Sequence, residues 1–273
     1  MNLASTSPIS CGEGRVKVAR VGGRSVAVSL RASSPLRLLT TSGAPAPWIF
    51  TTTFGGGLVD GDRVALAAEL AEGTSAVLTT QASTKVYRSP RGTESTLAAR
   101  LGEGALLASL ADPVVCFEGA RYRQRAVFDL ACTADLVYLD VLSAGRVARG
   151  ERWAFSSHRA ELSVRREGNV LLRDATLLDP SQGPIAARMG RFDVLGTLVL
   201  VGPGLAEMRA RIADEIASAP VAPGAPIVES ASARDDALLV RFAAEAIEPA
   251  LARVRAHLSE LVPRVGDPFA RKR

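Results

Sequence analysis

Oxygen donors are the only chemically active groups that this sequence offers in number. Twenty-eight Asp and Glu residues stand beside two histidines, His158 and His257, and three cysteines, Cys11, Cys116 and Cys132. The histidines are far apart and the cysteines are unpaired, so no tight zinc or copper site is expected, and each histidine is read as an ordinary surface or core residue. No Gly-rich loop ends in Gly-Lys-Ser/Thr, so no nucleotide-binding residues are assigned. No Gly-x-Ser-x-Gly elbow occurs, and neither histidine has an obvious Ser or Cys companion for covalent catalysis. What remains is carboxylate chemistry. Asp140 with Glu151 or Asp174 could serve as an acid–base pair on a sugar. Aromatic residues, the usual platforms for gripping a sugar, make up only 5% of the chain.

The most unusual string runs from Thr53 to Asp62, Thr-Phe-Gly-Gly-Gly-Leu-Val-Asp-Gly-Asp, with four glycines and two acids in ten residues. Glycines there permit positive φ and close backbone approach. The plainest reading is a hairpin turn with Asp60-Gly61 at its tip. Asp60-Gly61-Asp62 also looks like a fragment of a calcium loop, but the other oxygen ligands of such a loop are missing.

The elements that must position these groups are mainly strands. From Arg15 to about Thr176, short segments alternate apolar and polar residues, as in Val64, Leu66, Ala68 and Leu70, or Tyr122, Gln124, Ala126 and Phe128. Glycine turns at Gly22-Gly23, Glu72-Gly73, Glu103-Gly104 and Glu167-Gly168 separate them. Apolar runs recur at Ser75–Thr80, Ala105–Leu110, Asp135–Asp140 and Asn169–Asp174, with starts 30, 30 and 34 residues apart. Each is apolar enough to be buried on both sides. The spacing predicts coils stacked in layers, a broad sandwich or short β-helix, over about residues 14–200. In-register stacking would bring Thr80, Leu110, Asp140 and Asp174 into one row. Two helices are predicted after it. One spans about 204–218, with Leu205, Met208, Ile212 and Ile216 on one face; the other spans about 249–262, starting at Pro249. Leu238–Phe242 reads as a returning strand. The fold class is therefore mainly β, layered sheets with two α-helices in the C-terminal third, treated as one domain over 1–273.

Composition narrows the function classes. The net charge of +5 comes from scattered arginines, and only Ala270-Arg271-Lys272-Arg273 is a basic cluster, read as a frayed end. Without a basic stripe interleaved with aromatics, no nucleic acid is expected as a partner. No segment reaches the roughly 18 uninterrupted apolar residues of a membrane span, and the odd, widely spaced cysteines suit free thiols in a reducing compartment. A soluble, cytoplasmic protein is expected.

Several strings together resemble the urease accessory protein D family, called H in some organisms. Its Gly-Gly-Gly-x-Val-x-Gly-Asp segment is matched from Gly55, Gly56 and Gly57 through Gly61 to Asp62. Its Thr-Thr-x-x-x-Ser/Thr-Lys-x-Tyr-Arg-Ser segment is matched by Thr79, Thr80, Thr84, Lys85, Tyr87, Arg88 and Ser89. Its Gly-Ala-x-Tyr/Asn stretch after a buried Phe is matched by Phe117 to Tyr122, and its Gly-Arg-x-x-x-Gly-Glu by Gly145, Arg146, Gly150 and Glu151. The family's usual Pro before the glycines is Phe54 here. An acid often seen as Glu is Asp174, and the C-terminal Pro-Arg-x-Trp is replaced by Pro263-Arg264-Val265-Gly266.

The resemblance implies a non-catalytic maturation chaperone. Such a protein scaffolds urease apoprotein and accessory protein F, with the GTPase accessory protein G docking through F. It has no tightly bound cofactor, and nickel passes through it in transit. The family's path-lining residues map onto Asp62, Ser83, Asp140 and Asp174. Carboxylates and hydroxyls suit such a path because they release nickel more readily than thiolates or several imidazoles. Asp140 and Asp174 would offset the charge of a buried cation, Asp62 would guard one mouth, and Thr80, Ser83 and Thr84 could replace part of its hydration shell. Simpler roles stay open: Asp62 and Ser83 capping turns, Asp140 paired with Arg146, Glu151 with Arg152 or Arg149. So do two other functions, a bridging module without a metal path and a β-helix glycosidase.

Overall fold

Two-residue alternation makes the strands, and glycine turns set where each coil passes from one sheet to the next. The computed structural model describes residues 11–41, 45–267 and 269; the basic cluster at 270–273 lies outside them. A seven-stranded sheet holds β1 (Cys11–Val21), β2 (Arg24–Ala32), β5 (Arg63–Leu70), β8 (Thr93–Leu101), β11 (Arg121–Leu130), β13 (Ser157–Arg166) and β14 (Asn169–Leu178), in the order β14-β13-β11-β8-β5-β1-β2. The second sheet has ten strands. They are β3 (Leu36–Thr41), β4 (Trp48–Thr53), β6 (Ser75–Thr80), β7 (Thr84–Val86), β9 (Leu106–Leu110), β10 (Val114–Cys116), β12 (Asp135–Ser143), β15 (Val194–Val201), β16 (Ile227–Arg234) and β17 (Ala237–Ala244). Its main order is β16-β17-β15-β12-β9-β6-β4-β3.

In the middle the chain winds in coils. Each coil gives one strand to each sheet, and successive coils lie parallel, β5, β8, β11 and β13 on one side and β4, β6, β9 and β12 on the other. The turns stack as well: Gly73 N–H donates to Glu103 O at 2.8 Å and Ala131 N–H to Leu101 O at 2.9 Å. Gly73 and Gly104 both have φ of +63°, which a side chain would strain. The layered β architecture expected from the repeats is the one observed.

The repeat itself needs two corrections. Ser75, Leu106 and Asp135 are register partners, so the second run begins one residue later than its spacing suggests, because Ala105 is spent closing a turn onto Gly102 O. Asp140 therefore shares its row with Thr80 and not with Leu110. The fourth run, Asn169–Asp174, belongs to the other sheet. Glu167 and Gly168, with φ of +47° and +82°, fold β14 back antiparallel onto β13 in a tight reversal.

Helices form a third layer. α1 (Ile185–Met189) is a short connector, while α2 (Ala206–Ser218) and α3 (Ile247–His257) cover the outer face of the ten-stranded sheet, followed by α4 (Val262–Val265). Leu205, Met208, Ile212, Val254 and Leu261 pack there against Val137, Leu139, Leu198, Leu200 and Val240. α3 begins at Ile247, two residues before the predicted Pro249, which sits in the first turn where its missing N–H is no loss. The returning strand is β17, and it brings β16 with it, a strand that the proline-rich loop before it concealed.

The Pro263-Arg264 pair holds the chain's end to this body. Arg264 Nη2 donates to buried Asp135 Oδ2 at 2.9 Å, Gly204 N–H donates to Asp135 Oδ1 at 2.9 Å, and Trp48 Nε1 donates to Val265 O at 2.8 Å. Removing the guanidinium leaves a buried carboxylate short of a partner. Arg264→Met is expected to lower unfolding stability by roughly 2 kcal/mol, read as a shift in the urea midpoint with an unchanged slope. An unmoved midpoint would show that Asp135 is satisfied without the clamp.

Candidate functional site

Between the two sheets, side chains meet in rows, and one row on each side is polar. On the ten-stranded sheet, register places Thr51 beside Thr80, Asp140 beside Thr197, Thr197 beside Arg241 and Arg241 beside Ser230. On the seven-stranded sheet, the facing row is Val64, Ser95, Gln124, Ala160 and Thr176. Apolar cores flank this seam. One holds Leu66, Leu78, Phe128 and Leu136, the other Leu58, Tyr122, Leu142 and Phe155. Period-two alternation puts every second residue inward, so a polar residue at an inward position has nowhere else to go.

Two cavities occupy the seam. The first, about 220 Å³, is bounded by Thr51, Gly57, Thr80, Ser83, Thr84, Ser95, Asp112, Tyr122, Gln124 and Asp140. The second, about 310 Å³, is bounded by Asp140, His158, Thr176, Thr197, Glu229, Ser230 and Arg241. Asp140 lines both. It also borders a small space shared with Asp174, Thr176 and Thr197. Its carboxylate reaches across the seam to the opposite sheet, where Gln124 Nε2 donates to Oδ2 at 2.5 Å. Burial raises the Asp140 pKa to about 6, against the lowering effect of the Gln124 bond, and the charge of Asp174 adds to the rise. Burial likewise pushes the Cys116 thiol and the Tyr122 hydroxyl upward.

The structure brings some predicted residues to the seam and not others. Ser83, Thr80 and Thr84 line the first cavity. Thr80 Oγ1 also donates to Asp112 Oδ2 at 3.1 Å, and Thr79 Oγ1 to Leu110 O at 2.6 Å. Asp174 faces the seam beside Asp140, but its carboxylate is paired with the Arg241 guanidinium. Asp62 is 5% exposed and lines neither cavity. Its Oδ2 accepts from Val59 N–H at 2.9 Å, the turn-capping arrangement. Nor is Asp60-Gly61 a hairpin tip, because β4 and β5 lie in different sheets and the glycine string crosses between them. Asp60 accepts from Arg91 Nε at 2.8 Å.

The remaining motif residues build the end of the sandwich near the first cavity. Gly57 has no room for a side chain, since a Cβ would lie 2.7 Å from both Lys85 O and the Tyr87 ring. Tyr87 stacks edge-on against Phe117 with centroids 5.2 Å apart, and the Arg146 guanidinium lies 4.4 Å over that same ring. Arg146 grips Glu151 through two nitrogens, one at 2.8 Å, so Arg146 does not pair with Asp140 and the partner of Glu151 is neither Arg152 nor Arg149. Gly145, Gly150, Gly55, Gly56 and Gly61 all have positive φ. Arg88 packs over Gly119, where a Cβ would come within 3.0 Å of its chain.

Sequence reasoning missed Gln124 as the partner of Asp140, Asp112 at the first cavity, and His158, Glu229 and Arg241 at the second. For Gln124 a signal existed, since it sits among the inward-facing Tyr122, Ala126 and Phe128. The others depend on strand pairings that no local pattern reveals. Among the described residues, no helix is long and apolar enough to cross a membrane, and no group of three His, Cys, Asp or Glu residues is placed to hold a metal ion.

Residues 10–273 match the family model described as UreD urease accessory protein, a class of maturation factors and not of enzymes. Similar proteins include the urease accessory protein UreD of Anaeromyxobacter sp. (strain Fw109-5), 44% identical over 96% of this chain and 90% of that protein. That of Sorangium cellulosum (strain So ce56) is 46% identical over 96% of this chain and 84% of its own. Urease accessory protein D of Oryza sativa subsp. indica is 37% identical over 78% and 72%. The chain belongs to the UreD urease accessory protein family.

Asp140 has a measurable signature. An ordinary Asp carboxyl titrates near 4, roughly, and this one at about 6. Between those values the folded chain keeps a proton that the unfolded chain has released, so this group's contribution to stability falls as pH rises through the window. Above it the half-buried charge destabilises by on the order of 2 kcal/mol, the full shift being discounted for residual solvent exposure. Asp140→Asn keeps an acceptor for Gln124 without the charge. It is expected to gain about 2 kcal/mol at pH 7.5 and nothing at pH 4 in urea unfolding. An equal effect at both values would mean that Asp140 is not held as a buried anion.

Proposed function

We propose that this protein is a non-catalytic scaffold of urease maturation that also gives nickel an internal route, with Asp140 as its central waypoint. One observation carries the reading. A half-buried carboxylate lines both cavities between the sheets, in surroundings that raise its pKa to about 6. A carboxylate kept where its charge is disfavoured is best accounted for by a cation that visits it.

The donor set suits a cargo that has to leave. Thr51, Thr80, Ser83, Thr84 and Ser95 bring hydroxyls to the first cavity, and Asp112 brings a carboxylate beside Thr80. Asp112 takes the place at the first cavity that the sequence reading gave to Asp62. Such oxygen ligands bind a borderline divalent ion more loosely than thiolates do. Asp174 contributes indirectly, because pairing with Arg241 keeps that guanidinium's charge from standing alone beside the second cavity. Near the glycine string, Phe54 and Val59 are both more than half exposed and offer an apolar rim suited to a docking partner. The partners in this reading are accessory protein F, accessory protein G through F, and urease apoprotein. The setting is the cytoplasm, and the protein holds no resident cofactor.

Co-expression with urease and the other accessory proteins separates a route from a bridge. Asp140→Ala is expected to lower urease nickel content several-fold while pull-downs still recover the complete accessory complex. Full nickel loading in that variant would remove Asp140 from the transfer. If only surface changes around Phe54 and Val59 reduce loading, and do so by dispersing the complex, the protein acts as a bridging module alone.

A further inference from the structure

Every oxygen donor along the seam would serve magnesium as readily as nickel, and a hard, abundant ion would outnumber a scarce one. Selection therefore calls for a softer ligand. His158 is the only imidazole among the residues lining either cavity. It sits on β13 one inward position before Ala160, and its ring borders the same second cavity as Asp140.

Two observations set His158 apart from an ordinary core histidine. It is 2% exposed, and its Nδ1 is buried with no hydrogen-bond partner. Its ring packs against Tyr122 and Phe155, with centroids 5.8 and 6.2 Å away, a surrounding that Phe or Leu would fill without an unsatisfied nitrogen. Neighbouring polar groups are satisfied: Tyr122 Oη lies 2.6 Å from Ser95 Oγ. The Nδ1 of His257 is likewise buried with no hydrogen-bond partner, but that ring is anchored through Nε2, 2.9 Å from Glu229 Oε1, and it does not line either cavity.

We propose that His158 is a selectivity station on the seam, its imidazole offering a nitrogen ligand to borderline divalent transition-metal ions, the class that includes nickel, in the cavity that the Asp140 carboxylate also lines. This rests on the reading of the seam as a cation route. Imidazole suits nickel and its neighbours in the first transition row, whereas magnesium and calcium keep to oxygen. Burial also lowers the His158 pKa to about 4, so at neutral pH the ring is uncharged and one of its two nitrogens keeps a free lone pair. One nitrogen and one carboxylate, with the rest of the shell left to water and hydroxyls, discriminate without trapping.

The full chain carries only two histidines, so uniform ¹⁵N labelling gives two sets of ring signals beside the backbone amides, the rings assigned by the loss of one set in His158→Gln. Titration with nickel alone is expected to broaden the His158 ring before that of His257, and a large excess of magnesium is expected to leave both sharp. If nickel broadens amides around Asp140 but spares the His158 ring, the station is wrong while the route stands. If nickel touches neither, both are wrong. Equal broadening by nickel of both histidines would also overturn the station, because the contact would then not be specific. The readouts come from the unaltered chain, and His257→Gln supplies the same assignment should His158→Gln not fold.

Discussion

An ionisable carboxylate held between two apolar cores is the constraint around which this protein is arranged. Asp140 can stay in the interior only because Gln124 meets it from the facing sheet and because hydroxyl-bearing rows line the space on either side. Those rows exist because four neighbouring strands of one sheet and five of the other are in register, so polar residues far apart in sequence fall side by side. Sheet pairing here does more than bury apolar surface. It turns single threonines and serines, unremarkable one by one, into a polar layer between two apolar cores.

That layer in turn limits the fold. Leu66, Phe128 and Leu136 form one core and Leu58, Tyr122 and Phe155 another, with the helices packed on the far face of the ten-stranded sheet. Splitting the inter-sheet space leaves each core small, and the helix-covered core supplies a third. The motif residues fit this division. Gly57, Tyr87, Phe117, Arg146 and Glu151 form a single packed cluster of ring, guanidinium and carboxylate at one end. Their chemistry maintains the loops around the first cavity, which explains why so distinctive a set of strings contains so few groups that face the seam.

Much of the fold was legible because alternation and glycine turns are local properties. Tyr122, Gln124, Ala126 and Phe128 do share one inward face, and α2 presents Met208 and Ile212 to the core as their spacing implies. What failed were inferences needing the exact register between coils. Ala105 closes a turn instead of opening a strand, and Glu167-Gly168 reverses the chain where a further parallel coil was expected. The site was half legible for the same reason. Asp140 stood out as a charge at the end of an apolar run, and the family resemblance pointed to Ser83. Asp62 looked equally prominent, yet its own backbone neighbour at Val59 takes up its carboxylate, a short-range competition that composition does not display.

The clamp on the C-terminal segment gives the molecule an unusual load path. Asp135, which receives Arg264, and Asp140 lie on the same strand, five residues or about 17 Å apart. Val265 is tied to Trp48 on β4, the strand that carries Thr51. Tension applied at Asp267 is thus shared between Arg255 of α3 and, through Arg264 and Val265, two strands that wall the first cavity. A neighbour that grasped this end would be pulling, mechanically, on the lining itself.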